Sequence, residues 1–484
     1  MENNNMNRGL SARHISMIAI GGAIGTGLFV ATGGVIAQAG PGGAILAYLI
    51  IGVMLYFLMS SIGELATFYP VSGSFSSYPT RFIDPSLGFT MGWLYWMMWS
   101  LVTSVDIIVA SNVLQYWTAF QSMSPLIWSL IFVVLIFLLN IFTVKAFGEA
   151  EFWLSLIKVI TIIVFIVIGL LTIVGILGGK TYGVSNFTVG EAPFVGGITG
   201  FLGVLLIAGF SVGGTEVIAV TAGESDNPKK SMPKAIKQVF WRILLFYVLS
   251  IAVISAILPY TDATLLNKHE SVTQSPFTIV FDRVGIAFAA SIINAVILTS
   301  LLSAANSGVY TTSRMLFSMS RSGQAPKFLG HLNPRTKLPM PAILSTFIIV
   351  IATIVYAQFN SNAVFSLLKV IGSMVIVVWA SSIWSQIRVR RAIKKQGKDP
   401  DTLLPYKAPL YPLGPIIVIA ILAFLLFGSA FDSIVNFDIP KLFLNFGPLV
   451  ILLFVFAVHK AINKTKYIKL EDIDLSEHET NKSS

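Results

Sequence analysis

Gly21-Gly22-Ala23-Ile24-Gly25-Thr26-Gly27 and Gly209-Phe210-Ser211-Val212-Gly213-Gly214-Thr215-Glu216 are two glycine-rich stretches, and each interrupts an apolar segment long enough to cross a bilayer. Glycine weakens a helix, and the backbone groups that it leaves bare inside a membrane need another partner. We therefore expect two helices that are broken at membrane depth. The alternative interpretation is that these glycines serve close helix packing, as they often do in membranes.

The composition of the chain is that of a membrane protein. Hydrophobic residues occupy 55% of the 484 positions and charged residues only 11%, whereas a soluble chain carries about 25% charged residues. We therefore predict an all-α integral membrane protein. The chain contains no cysteine, which excludes disulfides and thiolate metal sites. Its histidines are dispersed, so we predict no metal site and no cofactor.

The apolar segments predict the number of membrane spans. A helix needs about 20 apolar residues to cross the hydrocarbon core, and on that criterion we predict twelve transmembrane helices. Their approximate limits are 15–38, 43–68, 87–117, 125–144, 152–177, 199–222, 238–258, 282–316, 341–358, 362–386, 410–431 and 442–460. The two glycine-rich stretches fall in the first and the sixth of these spans.

The basic residues predict the orientation. An even number of spans puts both termini on one side, and most of the 32 Lys and Arg residues then fall in segments on that side. The positive-inside rule makes this side cytoplasmic, so we predict a multi-pass protein of the plasma membrane with both termini in the cytoplasm. Anionic lipid headgroups beside these segments explain the net charge of +10 without a nucleic-acid partner.

The order of the spans predicts an internal repeat. Spans one to five and six to ten form two blocks of five, and an odd number makes the second block enter from the opposite side. This is the condition for an inverted-topology repeat, whose site lies near the midplane between discontinuous helices. Such a site is typical of a secondary transporter.

The chain is predicted to divide into five parts, with disorder expected in the polar tail from Tyr467 onward. The parts are an N-terminal cytoplasmic tail 1–13, a 5+5 transport core 14–386, a basic cytoplasmic loop 387–409, helices eleven and twelve in 410–461 and a C-terminal cytoplasmic tail 462–484.

Several motifs carry a family resemblance. The run from Arg13 to Phe29 resembles the start of the bacterial amino acid permeases of the amino acid/polyamine/organocation superfamily. Further similar motifs are Gly63-Glu64-Leu65, Pro70-Val71-Ser72-Gly73-Ser74-Phe75, Phe147-Gly148-Glu149-Ala150-Glu151-Phe152-Trp153, Ala222-Gly223-Glu224-Ser225 and Asn306-Ser307-Gly308. Within the family, Val189-Gly190-Glu191-Ala192-Pro193-Phe194 and Pro259-Tyr260-Thr261-Asp262 look most like lysine-specific permeases. The resemblance implies a LeuT-like 5+5 fold with broken helices 1 and 6, which imports amino acids together with protons.

The breaks suit the two charges that every α-amino acid carries. Free N–H groups at a half-helix N-terminus favour the carboxylate, and unwound carbonyls favour the ammonium. The resemblance implies that the first break holds the carboxylate, that carbonyls of both breaks take the ammonium, and that Phe210 covers the site unless it serves packing alone. The substrate-binding residues expected in the breaks are Ala23, Ile24, Gly25, Thr26, Gly27, Phe210, Ser211 and Gly213.

Asp106 is the outstanding charge of the third predicted span. A carboxylate at membrane depth is costly unless it has a partner. Lysine permeases have an acidic residue in this region, so the resemblance makes the side-chain ammonium of a lysine substrate the expected partner. The alternative is a structural pair with Lys369 of the tenth span, which would fit a neutral amino acid or histidine permease.

Lys158 and Glu216 are the candidates for proton coupling. In related transporters with a lysine in the fifth span, the ammonium occupies the place of a sodium ion. Burial favours the neutral form of lysine, so a cycle of proton gain and loss is reasonable; the alternative is a lysine that extends to the surface. Glu216 directly follows the second break. Ser303, Asn306 and Ser307 are candidate neighbours of Lys158.

The leading function is therefore an amino acid permease for lysine, and the predicted partners are the amino acid and membrane lipid. Ser211-Val212-Gly213-Gly214 departs from the Ser-Phe-Gln-Gly more usual in lysine permeases, which keeps a neutral amino acid or histidine as the alternative. An enzyme is not predicted, because the intramembrane ionisable residues are few and widely separated. Repeated broken helices favour a carrier over a channel.

Overall fold

A computed structural model describes residues 12–141, 144–179, 181–225, 227–262, 265, 275–283, 285, 287–360 and 362–476. The predicted N-terminal tail up to residue 11 and residues 477–484 of the predicted C-terminal tail lie outside the described residues. The described part of the chain is built from helices, which agrees with the predicted all-α class.

The α-helices are α1 Ala12–Ala23, α2 Thr32–Phe68, α3 Ser74–Phe82, α4 Pro85–Leu114, α5 Pro125–Asn140, α6 Val144–Ile173, α7 Gly197–Gly203, α8 Leu205–Ser211, α9 Val217–Thr221, α10 Pro228–Ile257, α11 Pro276–Arg283, α12 Ala287–Arg321, α13 Met340–Gln358, α14 Ala363–Lys395, α15 Pro400–Leu403, α16 Leu413–Ser429, α17 Phe431–Val435 and α18 Ile439–Asn463. A π-helix spans Gly27–Ala31, and short 3₁₀-helices span Thr118–Phe120, Ser185–Phe187, Ala222–Glu224 and Lys327–Gly330.

Several of these helices are long and apolar enough to cross a membrane. Seven described stretches are long and apolar enough, and four shorter apolar helices accompany them. The chain is thus a multi-pass membrane protein. The stretch Gly27–Phe68 counts as one of the seven, although it covers parts of the first two predicted spans.

A kink at Gly40 separates those two predicted spans. Gly40 has φ 74° and ψ 173° inside α2, a backbone conformation that residues other than glycine rarely adopt. Pro41 follows it. The backbone groups freed at the kink find partners in a distant loop. Ala39 O accepts a hydrogen bond from Val195 N at 3.1 Å, and Gly42 N donates to Pro193 O at 2.8 Å. These backbone groups at the kink are therefore hydrogen-bonded within the protein.

Helix α4 lies at the centre of the bundle, where it packs against α3, α12, α13 and α14. Its start is fixed by sequence, because Asp84 accepts a hydrogen bond from Ser86 N at 2.8 Å and Pro85 occupies the first helical turn. Helix α10 packs against α1, α2 and α6. Helix α10 also contacts α9.

The segment predicted as a basic loop begins as helix. Helix α14 continues to Lys395, beyond the predicted end at residue 386, because its last turns still bury Arg388 and Val389. Glu64 of α2, itself buried, accepts hydrogen bonds from Arg390 Nε at 2.8 Å and from Ala408 N at 2.7 Å. The helical part of the segment and its last residues are thus attached to α2, while most of the residues between them are exposed.

The prediction that the C-terminal tail is disordered from Tyr467 is wrong for its described residues. Residues 464–476, which we call the C-terminal strap, pack against the ends of α3 and α14. Arg388 donates to Tyr467 Oη and Ile468 O, and Gln396 Nε2 donates to Ile473 O at 2.8 Å. Composition misled the prediction because the strap is polar overall but buries Ile473 and Leu475.

Candidate functional site

The two helix interruptions lie against each other. Helix α1 ends at Ala23 and the π-helix begins at Gly27, while α8 ends at Ser211 and α9 begins at Val217. A Cβ atom built on Gly27 would lie only 2.4 Å from Ser211 Cα. The two backbones are therefore in direct contact, which only glycine permits at this position.

A small pocket lies between the interruptions. Helix α4 contributes one wall and α14 another. The lining residues are Ala23, Gly25, Thr26, Gly27, Met98, Trp99, Val102, Asp106, Phe210, Ser211, Gly213, Gly214, Glu216, Ile371 and Val375. Of the residues predicted from sequence, Ile24 and Lys158 do not line this pocket.

Asp106 faces the first interruption. The Thr26 hydroxyl donates a hydrogen bond to Asp106 Oδ1 at 2.6 Å, and Thr26 N lies 3.4 Å from the same oxygen. Both residues are buried. The donors that were predicted to bind a substrate carboxylate thus hold the protein's own carboxylate in this structure.

Lys369 is not the partner of Asp106. Lys369 lies near the start of α14, where the charges that act on it are those of Lys441 and Asp438. The charge that acts on Asp106 is that of Lys158. In the described part of the chain, the structural pair considered as the alternative is therefore absent.

Tyr247 of α10 joins the two interruptions. Its hydroxyl lies 2.9 Å from Ala23 O and also within hydrogen-bond distance of Ser211 O. A phenol has one proton, so it donates to one of these carbonyls at a time. Tyr48 stacks on Tyr247 with ring centroids 5.5 Å apart and donates to Ser211 Oγ at 2.9 Å. Both helix ends are therefore bound by aromatic hydroxyls.

Lys158 lies behind the first interruption. Its ammonium donates to Ile24 O at 3.2 Å, and the side chain is buried. It does not extend to a surface, contrary to the alternative interpretation. Lys158 contacts the unwound backbone through Ile24 O, and neither Ile24 nor Lys158 lines the pocket.

Glu151 is a buried carboxylate that the sequence analysis assigned no role. Its oxygens accept hydrogen bonds at 2.8 Å from Ser303 Oγ and from Asn306 Nδ2. Asn140 Nδ2 in turn donates to Asn306 Oδ1 at 2.6 Å. Ser303 and Asn306, predicted as neighbours of Lys158, therefore bind Glu151, whose charge acts on Lys158.

Glu216 brings unused hydrogen-bonding groups to the second interruption. Its Oε2 accepts from Gly214 N at 2.9 Å. In the described part of the chain, Glu216 Oε1 and the indole nitrogens of Trp99 and Trp379 are buried without a hydrogen-bond partner. Buried polar atoms are nearly always paired. Glu216 and Trp99 line the pocket, and the indoles of Trp99 and Trp379 lie close enough to Glu216 to interact with it.

Phe210 lines the pocket and is buried. Its carbonyl accepts a hydrogen bond from Gly213 N at 2.9 Å, so the turn that ends α8 already uses one of the carbonyls predicted to bind an ammonium. Tyr247 and Lys158 use those of Ala23 and Ile24 in the same way. A bound ammonium would have to share or replace these internal donors.

The fold and the pocket define a multi-pass membrane protein whose two broken helices meet at a central polar site. The amino acid permease family profile matches residues 14–471. The chain belongs to the amino acid permease family.

Three relatives span nearly the whole chain. The lysine-specific permease of Lactococcus lactis is 44% identical over 97% of this chain and 93% of its own length. The histidine permease of the same organism is 46% identical over 98% and 99%, and the lysine-specific permease of Escherichia coli is 43% identical over 98% and 97%. All three are permeases by name rather than enzymes.

A solved structure shares the fold at low sequence identity. The manganese transporter of Eremococcus coleocola matches with a TM-score of 0.53 and 14% identity, covering 93% of this chain and 94% of the transporter. This likeness concerns the arrangement of helices alone.

Proposed function

We propose that the protein is a secondary active transporter that imports a basic amino acid together with protons across the plasma membrane. Lysine is the leading candidate substrate. The proposal includes twelve spans, a 5+5 inverted repeat and cytoplasmic termini. The observation that carries it is the pocket between two helix interruptions, in which Asp106 already occupies the carboxylate-binding donors of Thr26.

The contact between Asp106 and Thr26 supports an exchange of carboxylates. An amino acid that enters the pocket brings its own carboxylate to the donors of Thr26, and two carboxylates repel at such a distance. Asp106 must then turn away and gain a proton or a cationic partner. The side-chain ammonium of lysine supplies that partner directly, which favours a basic substrate over a neutral one.

Lys158 supports coupling to protons. Its ammonium donates to Ile24 O in the first interruption, so a change in its charge would alter the contacts of the unwound segment. Burial disfavours the charged form of a lysine, which makes proton release physically accessible during the cycle. Glu216 is the second coupling candidate, because it caps the turn of the other interruption through Gly214 N.

Histidine is the second candidate substrate. The histidine permease of Lactococcus lactis is 46% identical to this chain, as similar as the lysine-specific permeases, and a protonated imidazole is also a cation that Asp106 can pair with. A neutral amino acid would leave the displaced Asp106 to be neutralised by a proton.

The test is uptake of labelled lysine by the purified protein in proteoliposomes under an imposed proton gradient. We expect lysine to accumulate above its external concentration, with loss of accumulation on adding an uncoupler and no effect of replacing sodium by choline. Competition by each common amino acid ranks the substrates. Uptake of histidine without uptake of lysine would establish the second candidate, and equilibration without accumulation would exclude a coupled carrier.

A further inference from the structure

Helices α2 and α10 leave an open groove of about 1700 Å³ between them on the outside of the bundle. Val53 and Trp241 line it, and each is 52% exposed. The groove shares no lining residue with the central pocket. The proposed transport cycle therefore gives this surface no role.

The length of the groove matches one leaflet of a bilayer. Along α10 it runs from Pro233 to Leu244, which is about 16 Å at 1.5 Å per residue. The hydrocarbon core of a bilayer is about 30 Å thick, so one leaflet contributes about half of that. With Lys234 and Lys237 at the headgroup, the groove covers about 10 Å of the acyl chains, from Lys237 to Leu244.

The charged groups of the groove lie at one end. Lys234 and Lys237 line it and are exposed, and none of the described lining residues is acidic. The apolar remainder includes Tyr56 and Phe240, whose ring centroids lie 5.0 Å apart. A row of aromatic groups with two cations beside it complements an acyl chain that ends in an anionic headgroup.

We propose that the groove between α2 and α10 binds one anionic phospholipid of the cytoplasmic leaflet. Its acyl chains lie along Val53 and Trp241, and its phosphate contacts Lys234 and Lys237. The choice of leaflet rests on the proposed orientation, whereas the site itself does not.

The test uses the fluorescence of Trp241. The full-length protein is reconstituted in neutral phosphatidylcholine vesicles that contain a minor fraction of brominated phosphatidylglycerol or, in parallel, brominated phosphatidylcholine. Bromine on the acyl chain quenches tryptophans that it contacts, and both leaflets have the same composition, so the orientation of the protein does not matter. Trp241→Phe identifies the share of quenching that comes from the groove.

We expect brominated phosphatidylglycerol to quench more than brominated phosphatidylcholine, with the excess absent in Trp241→Phe. In Lys234→Gln/Lys237→Gln the preference of the groove for phosphatidylglycerol over phosphatidylcholine should fall by roughly five- to thirtyfold. Each basic group near an anionic lipid contributes about a factor of five to that preference. The matched control is Lys394→Gln/Lys398→Gln, which removes two exposed charges outside the groove and should keep the preference. Equal quenching by both lipids, or an excess that survives in either groove variant, would overturn the proposal.

Discussion

At the scale of single residues, Asp106 and Thr26 form the contact that most constrains the pocket. One oxygen of Asp106 accepts hydrogen bonds from both the hydroxyl and the backbone N–H of Thr26. Hydrogen bonds to a charged group contribute about 1.5–3 kcal/mol. The free protein therefore holds its own carboxylate on these donors, and under the proposed function ligand affinity reflects the difference between the two contacts.

Replacement of Thr26 tests that difference. Thr26→Val keeps the shape and removes a hydroxyl donor that Asp106 uses in the free protein and that the ligand would use when bound. The two losses partly cancel, so we expect KM for the transported amino acid to rise by no more than about tenfold. Thr26→Ser keeps the donor and should stay near the wild type. Uptake kinetics in proteoliposomes measure both. An unchanged KM in Thr26→Val would remove this hydroxyl from the binding site.

Asp106→Asn tests the choice of substrate. Asparagine can still accept the hydrogen bond from Thr26, but it cannot pair with a cation. We expect lysine uptake to fall by on the order of tenfold or more, because a desolvated charge loses its partner. Lys369→Gln serves as the matched control and should transport normally, since Lys369 does not line the pocket. Equal losses in both variants would contradict the proposed pairing.

Glu151→Gln tests the polar cluster beside Lys158. The amide nitrogen of glutamine would meet either Ser303 or Asn306, both of which donate to Glu151. We expect the free energy of unfolding to fall by about 1–3 kcal/mol. Glu471→Gln is the matched control and should have little effect, because both members of its pair with Lys395 are more than half exposed. Thermal unfolding in detergent compares them, and a stable Glu151→Gln variant would show that the cluster is unimportant for folding.

At the scale of elements, the interrupted helices are held by contact between their backbones. The Tyr247 hydroxyl lies within hydrogen-bond distance of the backbone carbonyls that end α1 and α8. Gly27 has no side chain, so the backbone of the first interruption can contact that of the second. The unwound segments are therefore fixed in place by a few specific groups, and a side chain added at Gly27 would push the two elements apart.

Gly27→Ala measures this contact. The added methyl group would lie 2.4 Å from Ser211 Cα and 2.8 Å from Ser211 O, which backbone atoms cannot relieve without moving an entire helix. We expect loss of transport and lower thermal stability. Gly34→Ala is the matched control, because a Cβ there meets nothing within 4 Å and alanine favours the helix. Equal behaviour of the two variants would contradict the close approach.

The elements also show how much the sequence could predict. The interruptions were predicted because glycines act locally on the backbone, and Asp106 was predicted because a charge at membrane depth is unusual. Tyr247 could not be found in this way, since it reaches Ala23 across 224 positions of the chain and tyrosine is common in such helices. Glu151 fell just outside the predicted fifth span at 152–177, because hydropathy alone cannot locate the end of a span within one turn.

At the scale of the whole molecule, the C-terminal strap connects the ends of several helices. Thr465 Oγ1 donates to Asp84 Oδ1 at 2.8 Å, at the start of α4. Further along, Ile473 and Leu475 complete an apolar cluster with Phe82 of α3 and Ile393 of α14. The strap thus joins the last part of the chain to helices from both of its halves.

Truncation of the tail tests the contribution of the strap. A chain that ends at Asn463 would uncover the cluster, and each buried Ile or Leu contributes about 1.5–3 kcal/mol. We expect a clearly lower unfolding temperature and aggregation in detergent. A chain that ends at Ser476 keeps the strap and should behave like the full-length protein. Size-exclusion chromatography after heating compares the two, and equal stability would assign the strap no structural role.

The position of the strap in the chain has a consequence for biosynthesis. Its residues leave the ribosome after α18, whereas their docking site on α3 is made much earlier. That apolar site stays uncovered until α18 has entered the membrane in the correct direction and the strap reaches it. If α18 were missing or inverted, the apolar docking site of the strap would therefore stay exposed beside the basic segments. Cellular quality control can recognise such an exposed apolar surface.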